Sequence, residues 1–131
     1  MLEMHNFREL NIWKDAMGIT KSVYKLTKLF PSSEQYGLTS QINRAAVSIP
    51  SNIAEGAGRG GNKEFIQFLF ISLGFCFELE TQLILANDFG YMKKDELETI
   101  QNNLTKLEKM INSLITTLKN KIHNKTLISN V

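Results

Sequence analysis

The chain has 131 residues, a formal net charge of +2, 43% hydrophobic residues and a single cysteine. This length is typical of one domain with its own core. The small net charge excludes a field strong enough by itself to indicate a nucleic-acid partner, and one cysteine excludes an internal disulfide. No signal-peptide pattern is present, and the longest apolar run, 65–77, is shorter than the ~20 residues that cross a bilayer. We expect one cytoplasmic domain, residues 1–131, without a membrane partner.

Hydrophobic residues recur at helical spacing along the whole chain, and no segment alternates with a period of two. The pattern predicts four helices, at about 10–30, 38–57, 62–89 and 94–123. Short connections between four helices in a small domain favour an all-α, up-and-down four-helix bundle.

The first predicted helix has an apolar seam and a basic side. The seam consists of Ile12, Ala16, Ile19, Val23, Leu26 and Phe30. The basic side carries Lys14, Lys21, Lys25 and Lys28, with only Asp15 among them. Such a side is more often solvated than functional, but its positive bias makes these lysines candidate nucleic-acid contacts.

Pro50 lies in the middle of the second predicted helix. Proline removes one backbone donor and collides with the carbonyl four residues earlier, that of Ala46. We therefore predict a kinked helix in which Ser48 or Ser51 satisfies the freed carbonyl. The alternative is two short helices separated at Ile49, because proline disfavours the helical conformation in the residue before it.

Two basic positions lie on and after this helix. The letters Gly56-x-Gly58-x-x-Gly61 match a dinucleotide-binding fingerprint, but that motif must follow a strand, and here a helix precedes it. The loop still brings Arg59 and Lys63 to a helix start, where free amides favour a phosphate. Earlier in the helix, Arg44 either forms an ion pair with a carboxylate such as Glu78 or faces a phosphate. We include all three cations as candidate nucleic-acid contacts.

The third predicted helix is apolar on two sides. One side suits the core of the domain. The second consists of Ile66, Phe70, Leu73, Phe77 and Ile84. A chain this short has little left to cover a second side, so we predict that Ile66, Phe70, Leu73 and Phe77 form an oligomer interface. The fourth predicted helix has a regular seam that runs from Leu97 to Ile122, and its tail after residue 123 is predicted to fray.

No pattern for catalysis or metal binding is visible. Cys76 lies within an apolar run, where burial raises the pKa of a thiol and makes it inert. No histidine neighbours a second ligand at a usable spacing. We therefore expect a non-catalytic protein without metal or cofactor.

Five segments resemble a known family. The longest is YGLTSQINRAAVSIPSNIAEGAGR at 36–59, joined by 10–16, 23–31, 64–69 and 78–83. Together they resemble the four-helix-bundle family encoded in intervening sequences of bacterial 23S rRNA genes, also called the S23 ribosomal protein family. The family often has a second arginine where this chain has Asn43, and a serine where it has Phe75.

The resemblance implies that the second helix continues through Pro50 and that subunits assemble as a five-fold ring. The family is also similar to the accessory protein of diversity-generating retroelements, a ring associated with RNA and a reverse transcriptase. We therefore expect a homo-oligomer, a pentamer, that binds RNA or another nucleic acid. The alternative is a ring-shaped scaffold that recruits a partner enzyme.

Overall fold

A computed structural model describes residues 6–129 of the chain. Short 3-10 helices at Phe7–Glu9 and Ser32–Glu34 accompany four α-helices: α1 (Asn11–Thr27), α2 (Leu38–Ala57), α3 (Asn62–Asp88) and α4 (Lys94–Ser129). No strand occurs between residues 6 and 129, so the predicted all-α four-helix bundle is confirmed. α1 ends earlier than predicted, and α4 continues to Ser129 where we expected a frayed tail.

The helices surround one continuous core. α1 packs against α2 and α4, and α3 packs against the same two neighbours. The seams of α1 and α4 predicted from the sequence face this core. Its largest fully buried side chains are Val23, Ile42, Ile49, Ile53, Phe65, Leu69, Leu79, Leu83, Leu104, Leu107, Ile111 and Leu118.

α2 continues through Pro50 as a single helix, so the alternative of two helices separated at Ile49 is wrong. The kink remains a prediction. Pro50 has no N–H to donate to the carbonyl of Ala46. The hydroxyl of Thr20, on α1, lies 2.9 Å from that carbonyl and 2.9 Å from the carbonyl of Ala16 in its own helix, so it shares its one proton between the two. Ser48 donates to the carbonyl of Arg44 at 2.7 Å, and Ser51 makes no side-chain hydrogen bond with a described residue. Our expectation that one of these two serines would satisfy the carbonyl freed by Pro50 is therefore also wrong.

Small residues allow α2 to approach α3 closely. Ala45 and Gly56 are buried there, and the buried Ser72 of α3 donates to the carbonyl of Ile49 at 3.1 Å. A Cβ added to Gly56 would lie 2.6 Å from the Cβ of Phe68. Glycine at this position is therefore required by the distance between the helices.

α3 is the one described helix that is long and apolar enough to cross a bilayer, with mean hydropathy 1.6 over an 18-residue window. The core helix of a soluble protein meets the same criterion. The apolar composition of α3 is explained by packing inside the bundle, where residues such as Leu69, Cys76 and Leu83 are buried.

Alanine substitutions at two helical glycines separate close packing from helix propensity. Gly56→Ala should lower the free energy of unfolding by about 1–3 kcal/mol, because the methyl group overlaps Phe68. Gly18→Ala should raise it by about 0.5–1 kcal/mol, because a Cβ there meets no atom within 4 Å and alanine favours the helix. Urea denaturation of both variants measures the difference. A neutral or stabilising Gly56→Ala would contradict the close α2–α3 contact.

Candidate nucleic-acid interface

Charge is distributed unevenly among the four helices. Residues 11–28, which contain α1 and the residue that ends it, carry four lysines and one carboxylate, and residues 99–129 of α4 carry five lysines and one carboxylate. Residues 38–88, which contain α2 and α3, carry three basic and five acidic residues. The small net charge therefore conceals a strongly positive side of the bundle, formed by α1 and α4.

α1 and α4 run antiparallel with grooves between them. The first groove is lined by Lys14, Asp15, Gly18, Ile19, Ser22, Asn103 and Lys106. A second groove is lined by Leu10, Asn11, Ile12, Lys109, Met110, Ser113 and Leu114. We call the exposed lysines of this side, Lys14, Lys21, Lys25, Lys28, Lys106 and Lys109, the basic face. Asp15 is the one carboxylate that lines either groove.

The positive potential is not uniform along the basic face. Asp95, Glu96 and Glu98 lie in the first turns of α4. Because the two helices are antiparallel, these carboxylates lie at the end of the bundle where α1 finishes, near Lys28. Opposite charges reduce the positive potential at that end of the basic face.

Lys106 and Lys109 were missed in the sequence analysis because the apolar seam dominates the pattern of α4. The available signal was charge composition. After Glu98, the sequence up to residue 129 contains one acidic residue, Glu108. That carboxylate is turned away from the basic face and lies against α3, close to Glu80.

The other three predicted cations lie apart from the basic face. Arg59 forms an ion pair with Glu55 at 2.7 Å, which offsets its charge. Lys63 lines a groove at the start of α3 that also includes Lys121 and Lys125. Arg44 is exposed on α2 and makes no ion pair with a described residue, so the pair that we considered with Glu78 is not formed.

Asn43, at the position where the family often has arginine, is part of the packing between α1 and α2. The buried Thr27 of α1 donates from its hydroxyl to the side-chain oxygen of Asn43 at 2.9 Å. The amide is therefore engaged inside the subunit, and the basic character of this chain depends on lysines elsewhere.

The predicted oligomer interface must be corrected. Ile66 and Leu73 are only 9% and 5% exposed in the single chain, because they pack into the bundle core, so they are not available to another subunit. Phe70 and Phe77 are 48% and 53% exposed. With Ile71, Ile84 and Leu85, which are also exposed, they form what we call the α3 apolar face.

Cys76 is buried, as predicted, between helices in the core. Burial, with a smaller effect of the Glu108 carboxylate, raises the pKa of Cys76 to about 12, so the thiol stays protonated and unreactive. In the part of the chain that the structure describes, no group of three or more His, Cys, Asp or Glu side chains could hold a metal ion.

Glu108 should make stability depend on pH. Burial, and then the neighbouring Glu80 carboxylate, raise the pKa of Glu108, and its Oε2 atom is buried without a hydrogen-bond partner. The folded state therefore binds this proton more tightly than the unfolded state, and the penalty of the ionised form appears as pH rises through the folded pKa. Below the unfolded pKa the penalty is absent.

Glu108→Gln should therefore be more stable than the unmodified chain at neutral pH, and the difference should shrink as pH falls toward 4.5, the ordinary value. Thermal melts across this range measure it, with the exposed Glu98→Gln as control. A Gln variant that is less stable at neutral pH would contradict the assignment of an ionised, unpartnered carboxylate.

Comparisons with known proteins agree with the resemblance noted in the sequence. A family model described as 23S rRNA-intervening sequence protein matches residues 8–113. The structure is similar to the 1.70 Å crystal structure of a protein of unknown function from the S23 ribosomal protein family of Bacteroides thetaiotaomicron VPI-5482. The TM-score is 0.72 at 27% identity, over 79% of this chain and 97% of that chain. No curated protein matches the sequence.

Proposed function

The chain belongs to the 23S rRNA-intervening sequence protein family, and we propose that it is a non-catalytic, oligomeric bundle that binds RNA through its basic face. The observation that carries the proposal is the separation of charge. Nine lysines and two carboxylates occupy residues 11–28 and 99–129, although the whole chain has a net charge of only +2. Clustered lysines neutralise phosphates and release their counterions.

Oligomerisation would strengthen this binding. One basic face offers a small number of phosphate contacts, but a symmetric assembly presents several copies to one polyanion, and linked contacts multiply affinity. The α3 apolar face supports assembly, because contiguous exposed apolar patches mark interaction sites. The resemblance makes a ring of five subunits the expected form.

Binding through the basic face predicts a specific salt dependence. The logarithm of the affinity for RNA should fall linearly with the logarithm of salt concentration, by about 0.7–0.9 per phosphate contact. Lys14→Gln/Lys106→Gln should make this slope shallower by about two such contacts per subunit and should weaken binding to all sequences similarly. Filter-binding titrations with a structured RNA measure both effects.

Lys93→Gln/Lys94→Gln is the matched control, because it removes the same charge from exposed positions outside the basic face. The control should keep the slope of the unmodified chain. If the RNA affinity of the unmodified chain did not change with salt, the proposal would be contradicted. If both double variants lost the same amount of RNA affinity, the assignment to the basic face would be contradicted.

Assembly through the α3 apolar face can be tested separately. The unmodified chain should sediment as a particle larger than the 14.9 kDa subunit. Phe70→Asp/Phe77→Asp should sediment as a monomer and remain helical, because both rings are about half exposed in the single chain. Phe89→Asp, at a similarly exposed ring beyond the end of α3, should leave the assembly intact. A monomeric unmodified chain at micromolar concentration would contradict the proposal.

A scaffold that recruits a partner enzyme is the second candidate. Leu29, Tyr36 and Phe89 are highly exposed at the end of the bundle that holds the connections between α1 and α2 and between α3 and α4. Exposed apolar side chains of this kind suit a protein partner. Recovery of one specific protein with the assembled chain, without RNA, would favour this function over RNA binding.

A further inference from the structure

The groove between α1 and α4 contains polar side chains that the bundle itself does not use. Lys14, Asp15, Ser22, Asn103 and Lys106 line it, and none forms a side-chain hydrogen bond or ion pair with another described residue. The groove therefore presents two ammonium groups, a hydroxyl and an amide to an external ligand. These groups suit phosphate oxygens and ribose hydroxyls.

Gly18 lies in the wall of the same groove. It occupies the interior of α1, where glycine costs about 0.5–1 kcal/mol relative to alanine. A Cβ at this position would meet no atom within 4 Å, so nothing inside the subunit explains the glycine. Because Gly18 has no side chain, the groove is open between Lys14 and Ser22, and the backbone of a ligand can approach the helix closely there.

Aromatic rings are absent from the grooves along α4. Proteins that bind single strands stack the bases on aromatic side chains, and each stacked base adds about 1–3 kcal/mol. The most exposed rings belong to Tyr36, Phe70, Phe77 and Phe89, none of which lines these grooves, and neither does Tyr24 of α1. The groove thus offers backbone contacts and no stacking surface.

The spacing of the lysines also suits a rigid ligand. Lys14, Lys21 and Lys25 lie on one regular helix, so their attachment points are separated along the axis by about 10 Å and then about 6 Å. Double-stranded RNA is recognised by phosphate and 2′-hydroxyl contacts across its wide, shallow minor groove, with little reading of bases. A fixed row of cations beside neutral hydrogen-bonding groups is suited to such a surface.

We propose that the groove between α1 and α4 binds the sugar-phosphate backbone of double-stranded RNA, with Lys14 and Lys106 on phosphates and Ser22 and Asn103 beside the ribose. This inference rests on the proposed RNA binding and specifies the form of RNA. Asp15 opposes binding as the one carboxylate in the groove.

The test compares three ligands by fluorescence anisotropy at one salt concentration: an RNA duplex, polyuridine with the same number of phosphates, and a DNA duplex of the same sequence. The RNA duplex should bind about tenfold more tightly than polyuridine. Asp15→Asn should strengthen duplex binding by about twofold, because it removes one nearby repulsive charge in high dielectric.

Gly18→Gln fills the groove without removing a charge, and glutamine favours the helix, so the variant should fold and melt no lower than the unmodified chain. It should weaken duplex binding several-fold. Ser51→Gln, at an exposed position of α2, is the control for added bulk and should bind normally.

The possible outcomes distinguish failure of the duplex inference from failure of the proposed RNA binding. Equal affinity for polyuridine and the RNA duplex, with a normal salt slope, would overturn the duplex inference and leave RNA binding in place. Equal affinity for both duplexes would overturn the choice of RNA. Unchanged duplex binding by Gly18→Gln would overturn the groove as the site, and no binding to any ligand would remove the proposed function as well.

Discussion

The carbonyl of Ala46 is the point on which the arrangement of the helices depends. Pro50 withdraws its normal helical donor, and Thr20 supplies a replacement from α1, while one turn away Ser72 of α3 donates to the carbonyl of Ile49. A buried carbonyl without a partner would cost about 1–3 kcal/mol, so these bonds favour one relative placement of the three helices. The rotation of α1 that buries its apolar seam and directs Thr20 at α2 also determines where its lysines lie. With Thr20 directed at α2, Lys21 and Lys25 fall roughly 100° and 140° around the helix, on the outer surface.

The consequence is a bundle whose sides differ in chemistry. α1 and α4 form a side rich in lysine, whereas the outer surface of α3 is apolar. Both properties are invisible in the averages of the chain, because the basic and acidic residues almost balance and the composition does not distinguish exposed apolar residues from buried ones. An assembly that uses the α3 apolar face would leave the basic face of each subunit free for a polyanion. We therefore propose that self-association and RNA binding use separate surfaces of the subunit.

Much of the fold follows from local patterns, and the failures have a common cause. Periodicity located the bundle and the limits of α2, because apolar spacing is a local property. It did not identify Thr20 as the partner of Ala46, because the two residues are far apart in sequence and meet only after packing. Periodicity also assigned Ile66 and Leu73 to the same surface as Phe70 and Phe77. When a helix has two apolar sides, its sequence does not show which residues the other helices cover, and here Ile66 and Leu73 lie inside the bundle. Lys106 could be assigned to the site only from the structure, because antiparallel packing of α1 and α4 places it in the same groove as Lys14.

The decisive experiment is purification of the chain without nuclease, followed by determination of particle mass and of the ratio of nucleic-acid to protein absorbance. We expect a particle several times the subunit mass that carries RNA, and we expect high salt to release the RNA while the particle stays assembled. A single 14.9 kDa species without nucleic acid would contradict this expectation. So would a particle that falls apart when the RNA is removed, because assembly and RNA binding would then share one surface.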